Sequence, residues 1–186
     1  MKLNKTIVLS LMIMVIVCSV YRIVPGRPYG FAPQWAMAIF AGAVIRDRKW
    51  GFIIPVLSMF LSDLLYQALY NAGISAMPGF YVGQWQNYIL FGLLALVGMA
   101  MKKINVKNIL VASLAAPTIY FFLSNFLIWA SGGGYARPKT ASGLMQCYTD
   151  GLPFYGVSLA ATIVFSALLF GSFMMIRKSA LQTASV

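Results

Sequence analysis

Between Ile109 and Ala130 the chain runs "ILVASLAAPTIYFFLSNFLIWA" without a charged side chain. That is long enough for one helix to cross the hydrocarbon core of a bilayer, which takes about 20 mainly apolar residues. Other apolar runs stand beside it, and a soluble chain of 186 residues would have no interior able to hold them all. Composition agrees: 61% of residues are hydrophobic and 9% charged, with a mean hydropathy of +0.82, whereas about a quarter of a soluble domain is charged. In lipid every backbone polar group must be satisfied internally, which helices do by themselves. The expected fold class is all-α, a single integral membrane domain over 1–186.

Six spans are predicted, at about 6–23, 32–46, 50–70, 84–101, 108–130 and 154–176. The second is short, with Pro33 suited to a first helical turn and Trp35 to an interfacial belt. Lys2 and Lys5 ahead of an apolar run also fit a signal peptide, but Cys18-Ser19-Val20-Tyr21-Arg22 is a poor small-x-small cleavage site. A retained first helix is expected.

The net charge of +11 raises the question of nucleic acid. The cations sit in small groups between apolar runs rather than in one patch, the pattern of loops that set membrane topology, so nucleic acid is set aside. With the amino terminus inside, Lys2, Lys5, Arg46, Arg48, Lys49, Lys102, Lys103, Lys107, Arg177 and Lys178 fall on the inner side, and Arg22, Arg27, Arg137 and Lys139 on the outer. Both termini are therefore expected in the cytoplasm, with the chain multi-pass in a bacterial inner membrane. Inner connections such as "KKINVKN" are short and basic; outer ones such as "YNAGISAMPGFYVGQWQN" are long and aromatic. Function tends to sit on loops held by a rigid scaffold, so the working face is placed outside.

Asp63 is the only acid inside a predicted span, and an intramembrane charge is read as functional with a partner to be named. Arg22, at the outer end of helix one, is that partner, the pair either holding helices one and three together or meeting a ligand. Asn87, Ser124 and Asn125 are expected at similar depth, either bridging helices or meeting a ligand. "IIPVLSMFLSDLLYQ" and "AAPTIYFFLSNFLIW" echo each other, each with a proline ahead of Leu-Ser-Asp or Leu-Ser-Asn, which suggests that helices three and five are equivalent. The stretch "SGGGYARPKTASGLMQCYTDGLPF", Ser131 to Phe154, reads as a long outer loop or lid bringing Tyr135, Arg137, Thr140, Cys147 and Tyr148 over an outer pocket. Cys147 is either an inert, buried thiol or a reactive or metal-binding one, the latter only if the nearby charges of Arg137 and Lys139 lower its pKa. Cys18, inside an apolar run, is too remote for a disulfide with it. There is no histidine, and no Ser–His–Asp set, HExxH, Walker or dinucleotide signature, so neither an enzyme nor a cofactor is expected. Ala38 and Gly42 form a small-xxx-small pair on helix two, facing an internal helix or another subunit.

Six helices, an inner amino terminus and an elaborated outer face together resemble the S components, or substrate-binding subunits, of energy-coupling factor vitamin transporters. "RIVP…FAPQWAMAIFAGAVIRDR", "LSDLL", "LSNF" and "YARPKTASGLMQCYTDGLPF" are also similar to a family of small six-helix bacterial membrane proteins with no assigned role. The S-component resemblance implies capture of a vitamin or similar micronutrient in an outward pocket. It further implies release through toppling against a transmembrane coupling subunit driven by ATPases. S components carry an AxxxA-type surface on helix one; Thr6 to Val20 lacks it, and Ala38 and Gly42 on helix two are the comparable pair. A solitary version resembles the cobalamin type, for which Cys147 is the candidate ligand to the cofactor metal. Membrane lipids and a small solute are the expected partners. The competing class is a structural or assembly subunit of an envelope complex, which would present its outer loops flat to a protein.

Overall fold

The computed structural model describes the backbone over 5–45 and 47–183 and side chains over 12–45 and 47–175, so Lys2 and Arg46 lie outside the described residues, as do the side chains of Lys5, Arg177 and Lys178. The described residues form six helices and no strand: α1 (Lys5–Ile23), α2 (Gln34–Val44), α3 (Arg48–Asn71), α4 (Gln84–Met99), α5 (Val106–Ser131) and α6 (Ala141–Thr183). Three of them, α3, α5 and the Ala141–Met175 part of α6, have the length and hydropathy to cross a membrane, and the chain is accordingly a membrane protein. Leu57 and Leu64 on α3, Leu110, Val111 and Leu114 on α5, and Val164 and Leu168 on α6 are exposed. Lipid is the medium in which such faces carry no penalty.

The helix start signals are local. Asp47 accepts from the Lys49 amide at 2.9 Å and opens α3, and Asn105 accepts from the Asn108 amide at 2.8 Å and opens α5. Gly132, at φ +79°, takes the left-handed conformation that ends α5. α1 and α3 run side by side in the same direction: the Ser19 hydroxyl donates to the Ser58 carbonyl at 2.9 Å, and one turn on Arg22 meets Ser62 and Asp63. α3 and α4 are antiparallel, pairing Gly51 with Met99 at one end and Asp63 with Gln84 at the other.

α2 departs from the span expected over 32–46. It has 11 residues, about 16 Å of helix. It is the core of the bundle rather than a lipid-facing pass: Ala36, Met37, Ala38, Ile39 and Ala41 are fully buried. Its small-residue face packs on α4. A methyl added at Gly42 would lie 2.1 Å from the Ala95 carbonyl oxygen, and one at Gly98 2.0 Å from that of Ile39, so two glycines let the backbones touch. Of the two partners left open for Ala38 and Gly42, an internal helix and another subunit, the packing on α4 is with the internal helix, so the pair is not a partner interface.

The segment expected as a loop over 131–154 is also corrected. Only 132–140 is non-helical; from Ala141 the chain is already α6. The Thr140 hydroxyl accepts from the Gly143 amide at 3.1 Å and starts the helix, and Pro153 is carried inside it. Gln146 and Thr149 lie on the exposed face of this part of α6.

Candidate functional site

A cavity of about 720 Å³ opens at the end of the bundle where α1, α3 and α5 finish. Arg22, Asp63, Asn87 and Asn125 line it, together with Ser124. Pro55 and Pro117 are both buried within their helices, and of the Leu-Ser-Asp and Leu-Ser-Asn segments that follow them Asp63 lines this one cavity from α3, and Ser124 and Asn125 from α5. The sequence echo between those helices is thus an echo of site positions.

Asp63 is 1% exposed and every oxygen it has is engaged. Arg22 donates to one carboxylate oxygen; Gln84 and, at 2.8 Å, the Tyr88 hydroxyl donate to the other. Arg22 also donates to Ser62. Asp63 thereby ties α1, α3 and α4 at the cavity wall, and it acts as the keystone of the site rather than as a free acceptor. Around it, Tyr120 donates to Asn87 Oδ1 at 2.8 Å and Asn87 donates to Tyr81. Asn125 donates to the Phe121 carbonyl at 2.8 Å. Its side chain fits between α5 and α6 because position 151 is glycine: an added Cβ there would lie 2.6 Å from Asn125 Oδ1.

The other residues expected to line the pocket stand elsewhere. Tyr135, 77% exposed, carries the Arg137 guanidinium 5.5 Å from its ring centre, and Arg137 forms a two-pronged ion pair with Asp150 at 2.8 and 2.9 Å. The hydrogen bond from Arg137 to Asp150 raises the arginine pKa above its ordinary value. Thr140 is the helix cap already described. Tyr148 donates to the Phe122 carbonyl at 3.3 Å, and the Cys147 thiol, buried, reaches the Asn125 carbonyl at 3.4 Å. Tyr148 and Cys147 fasten α6 to α5, while Tyr135, Arg137 and Thr140 tie the 132–140 connection to the start of α6. None of them lines the cavity, which removes the reading of Cys147 as ligand to a solute's metal. Cys18 is buried as well. With both thiols covered, the folded chain in mild detergent should resist maleimide over a time in which the SDS-unfolded chain is fully labelled at both positions, read by intact mass; rapid labelling of Cys147 before unfolding would contradict its placement.

Several residues of the lining, and Gln84 behind it, escaped the sequence reading. Trp35, expected in an interfacial belt, lies 4.5 Å centre to centre from the Tyr120 ring inside the bundle. Arg27 bonds to the Arg22 carbonyl at 2.7 Å and to the Tyr66 hydroxyl at 3.0 Å. Gln34 and Gln84 are 2% and 4% exposed. Their signal was an amide at the first position of an apolar helix, with Gln84 and Tyr88 one turn apart as joint donors to one acid.

A family model matches residues 2–184, and its description is a family of unknown function, DUF6580. The chain belongs to DUF6580. No curated protein and no solved structure matches it. Within this DUF6580 chain, the geometry of the cavity is what bears on function.

Proposed function

We propose that the chain is a membrane-embedded binding subunit that captures a vitamin or similar micronutrient for uptake. The observation that carries the reading is the cavity itself. Its volume of about 720 Å³ falls in the range of small-molecule sites, about 300–1,000 Å³. It combines aromatic walls (Trp35, Tyr66, Tyr120, Tyr155) with polar groups converging from all six helices.

The connection after α3 adds to this. Gln67 Oε1 accepts from the Gly79 and Phe80 amides at 3.1 and 3.2 Å, and a methyl at Gly79 would lie 1.9 Å from the Asp63 carbonyl. Ala76, Met77 and Pro78 thereby form a rim directly above the acid. A subunit serving only to dock proteins has no need of a roofed hollow.

In this reading all six helices pass the inner membrane of a bacterium, both termini face the cytoplasm, and the cavity opens outward. The short α2 is tolerated because its backbone is buried in protein, not lipid. The chain performs no chemistry on its cargo. Energy for inward release comes from a coupling subunit with ATPases, or the chain acts alone; Ala38 and Gly42 are not the docking surface. A cobalamin-like cargo is not part of the proposal, since the cysteine invoked for it points away from the cavity.

The assembly-subunit reading keeps one observation of its own: Ile74, Val82 and Tyr135, at the tips of the same end, are 74%, 102% and 77% exposed. Thermal unfolding of the purified chain against a panel of water-soluble vitamins separates the two. A cargo at about 100 times its Kd should add about 2.7 kcal/mol of stability, seen as a rise of several degrees in Tm. A flat response across the panel, with a protein partner retained through Tyr135 and Val82, favours the assembly reading.

A further inference from the structure

The charge inside the cavity is unbalanced. The chain has three acids, Asp47, Asp63 and Asp150. Asp47 caps α3 at the opposite end, Asp63 is taken by Arg22, and Asp150 by Arg137. Arg27, half-buried in the cavity wall, has no acid among the described residues. Its bonds go to the Arg22 carbonyl, to the Tyr66 hydroxyl, and at 3.4 Å to the carbonyls of Pro28 and Phe31. Those dipoles hold the guanidinium in place but leave its charge uncancelled, and an arginine cannot shed its proton to escape burial. A charge partly withdrawn from water, beside a cavity, is steadied by a counterion there.

A second group points the same way. Gln34 is 2% exposed, and its Nε2 donates to the Cys18 carbonyl at 3.0 Å. Because that carbonyl can only accept, the amide orientation is settled and Oε1 is the atom left over. Gln34 Oε1 is buried without a partner, and Gln34 lines the cavity. An unpaired buried acceptor is rare in folded proteins and asks for a donor.

We infer, resting on the solute-binding reading above, that the cavity takes an organic anion bearing an N–H or O–H donor, with Arg27 holding the negative charge and Gln34 accepting from the donor. Asp63, saturated by Arg22, Gln84 and Tyr88, fixes the wall and leaves Arg27 as the specificity-determining cation. The aromatic pair Trp35 and Tyr120 supplies the flat surface for the body of the anion.

Matched probes test this: biotin against biotinamide, pantothenate against panthenol, and thiamine as a cation, each titrated onto the purified chain with Kd and Tm as readouts. The expected result is binding by the anionic member of a pair and much weaker binding by its neutral twin. Arg27→Gln should weaken the anion by about 10- to 100-fold, the worth of a hydrogen bond to a charged group, and Arg27→Lys should weaken it less. If Arg27→Gln fails to fold, the selectivity of the wild-type chain between twins decides. Neutral twins or thiamine binding as well as the anions, or an unchanged affinity in Arg27→Gln, would overturn the inference and leave solute binding standing. Binding by none of the probes would overturn both.

Discussion

Asp63→Ala should cost about 3–5 kcal/mol of folding stability, the usual penalty for removing one partner of a buried ion pair. The carboxylate is fully buried and serves donors from two other helices, so its loss strands Arg22, Gln84 and Tyr88 together. The stranded guanidinium, on a side chain only 20% exposed, makes up most of the cost. The paired replacement Arg22→Met with Asp63→Leu removes the orphan charge and should recover much of the loss, although Gln84 and Tyr88 still lack their acceptor. Denaturant titration in mixed micelles, comparing the single and paired variants, measures this. A single variant within about 1 kcal/mol of wild type would resemble an exposed pair and contradict the burial of Asp63.

Gly42→Ala should be almost as damaging, although it adds one methyl group. That methyl would meet the Ala95 carbonyl at 2.1 Å, a backbone atom that cannot rotate away, and α2 and α4 must separate to admit it. Overpacking of this kind costs about 1–3 kcal/mol, and the upper end is expected because α2 is the buried core. Gly98→Ala, at 2.0 Å from the Ile39 carbonyl, acts on the same crossing. Once either methyl has forced the helices apart the other fits more easily, so the double variant should lose less than the two single losses combined. Gly156 provides the contrast, with nothing within 4 Å of its added methyl. Gly156→Ala should be neutral or stabilising, by up to about 1 kcal/mol from helix propensity. Equal effects at Gly42 and Gly156 in thermal unfolding would contradict the crossing.

What the sequence disclosed follows from the physics of lipid. An acid in an apolar run demands a partner, which made Asp63 with Arg22 readable, and the Leu-Ser-Asn segment placed Ser124 and Asn125 at matching depth. Arg27 was hidden because it lies in a connection, where cations serve topology by default. Gln34 was hidden because nothing in a linear reading says that α2 is enclosed by the other helices. Residues 141–153 misled for a different reason: they follow a run of glycines and cations and carry Asp150 and Cys147, which together read as a connection, yet the Thr140 cap has already begun α6 and Pro153 is carried inside it. The lid once attached to Cys147 and Tyr148 is instead the first turns of that helix, and the roof belongs to 76–79.

Native mass spectrometry of the chain released gently from its own membrane, beside Ser124→Trp, tests solute capture most directly. Ser124 lines the cavity and its hydroxyl bonds only within its own helix, to the Phe121 carbonyl at 3.4 Å. An indole there should fill the space without touching the Asp63 cluster. The wild-type chain should fly with a bound solute that the tryptophan variant, folded to the same extent, has lost; an adduct carried equally by both, or a wild-type chain that is empty and accepts no offered solute, would contradict it.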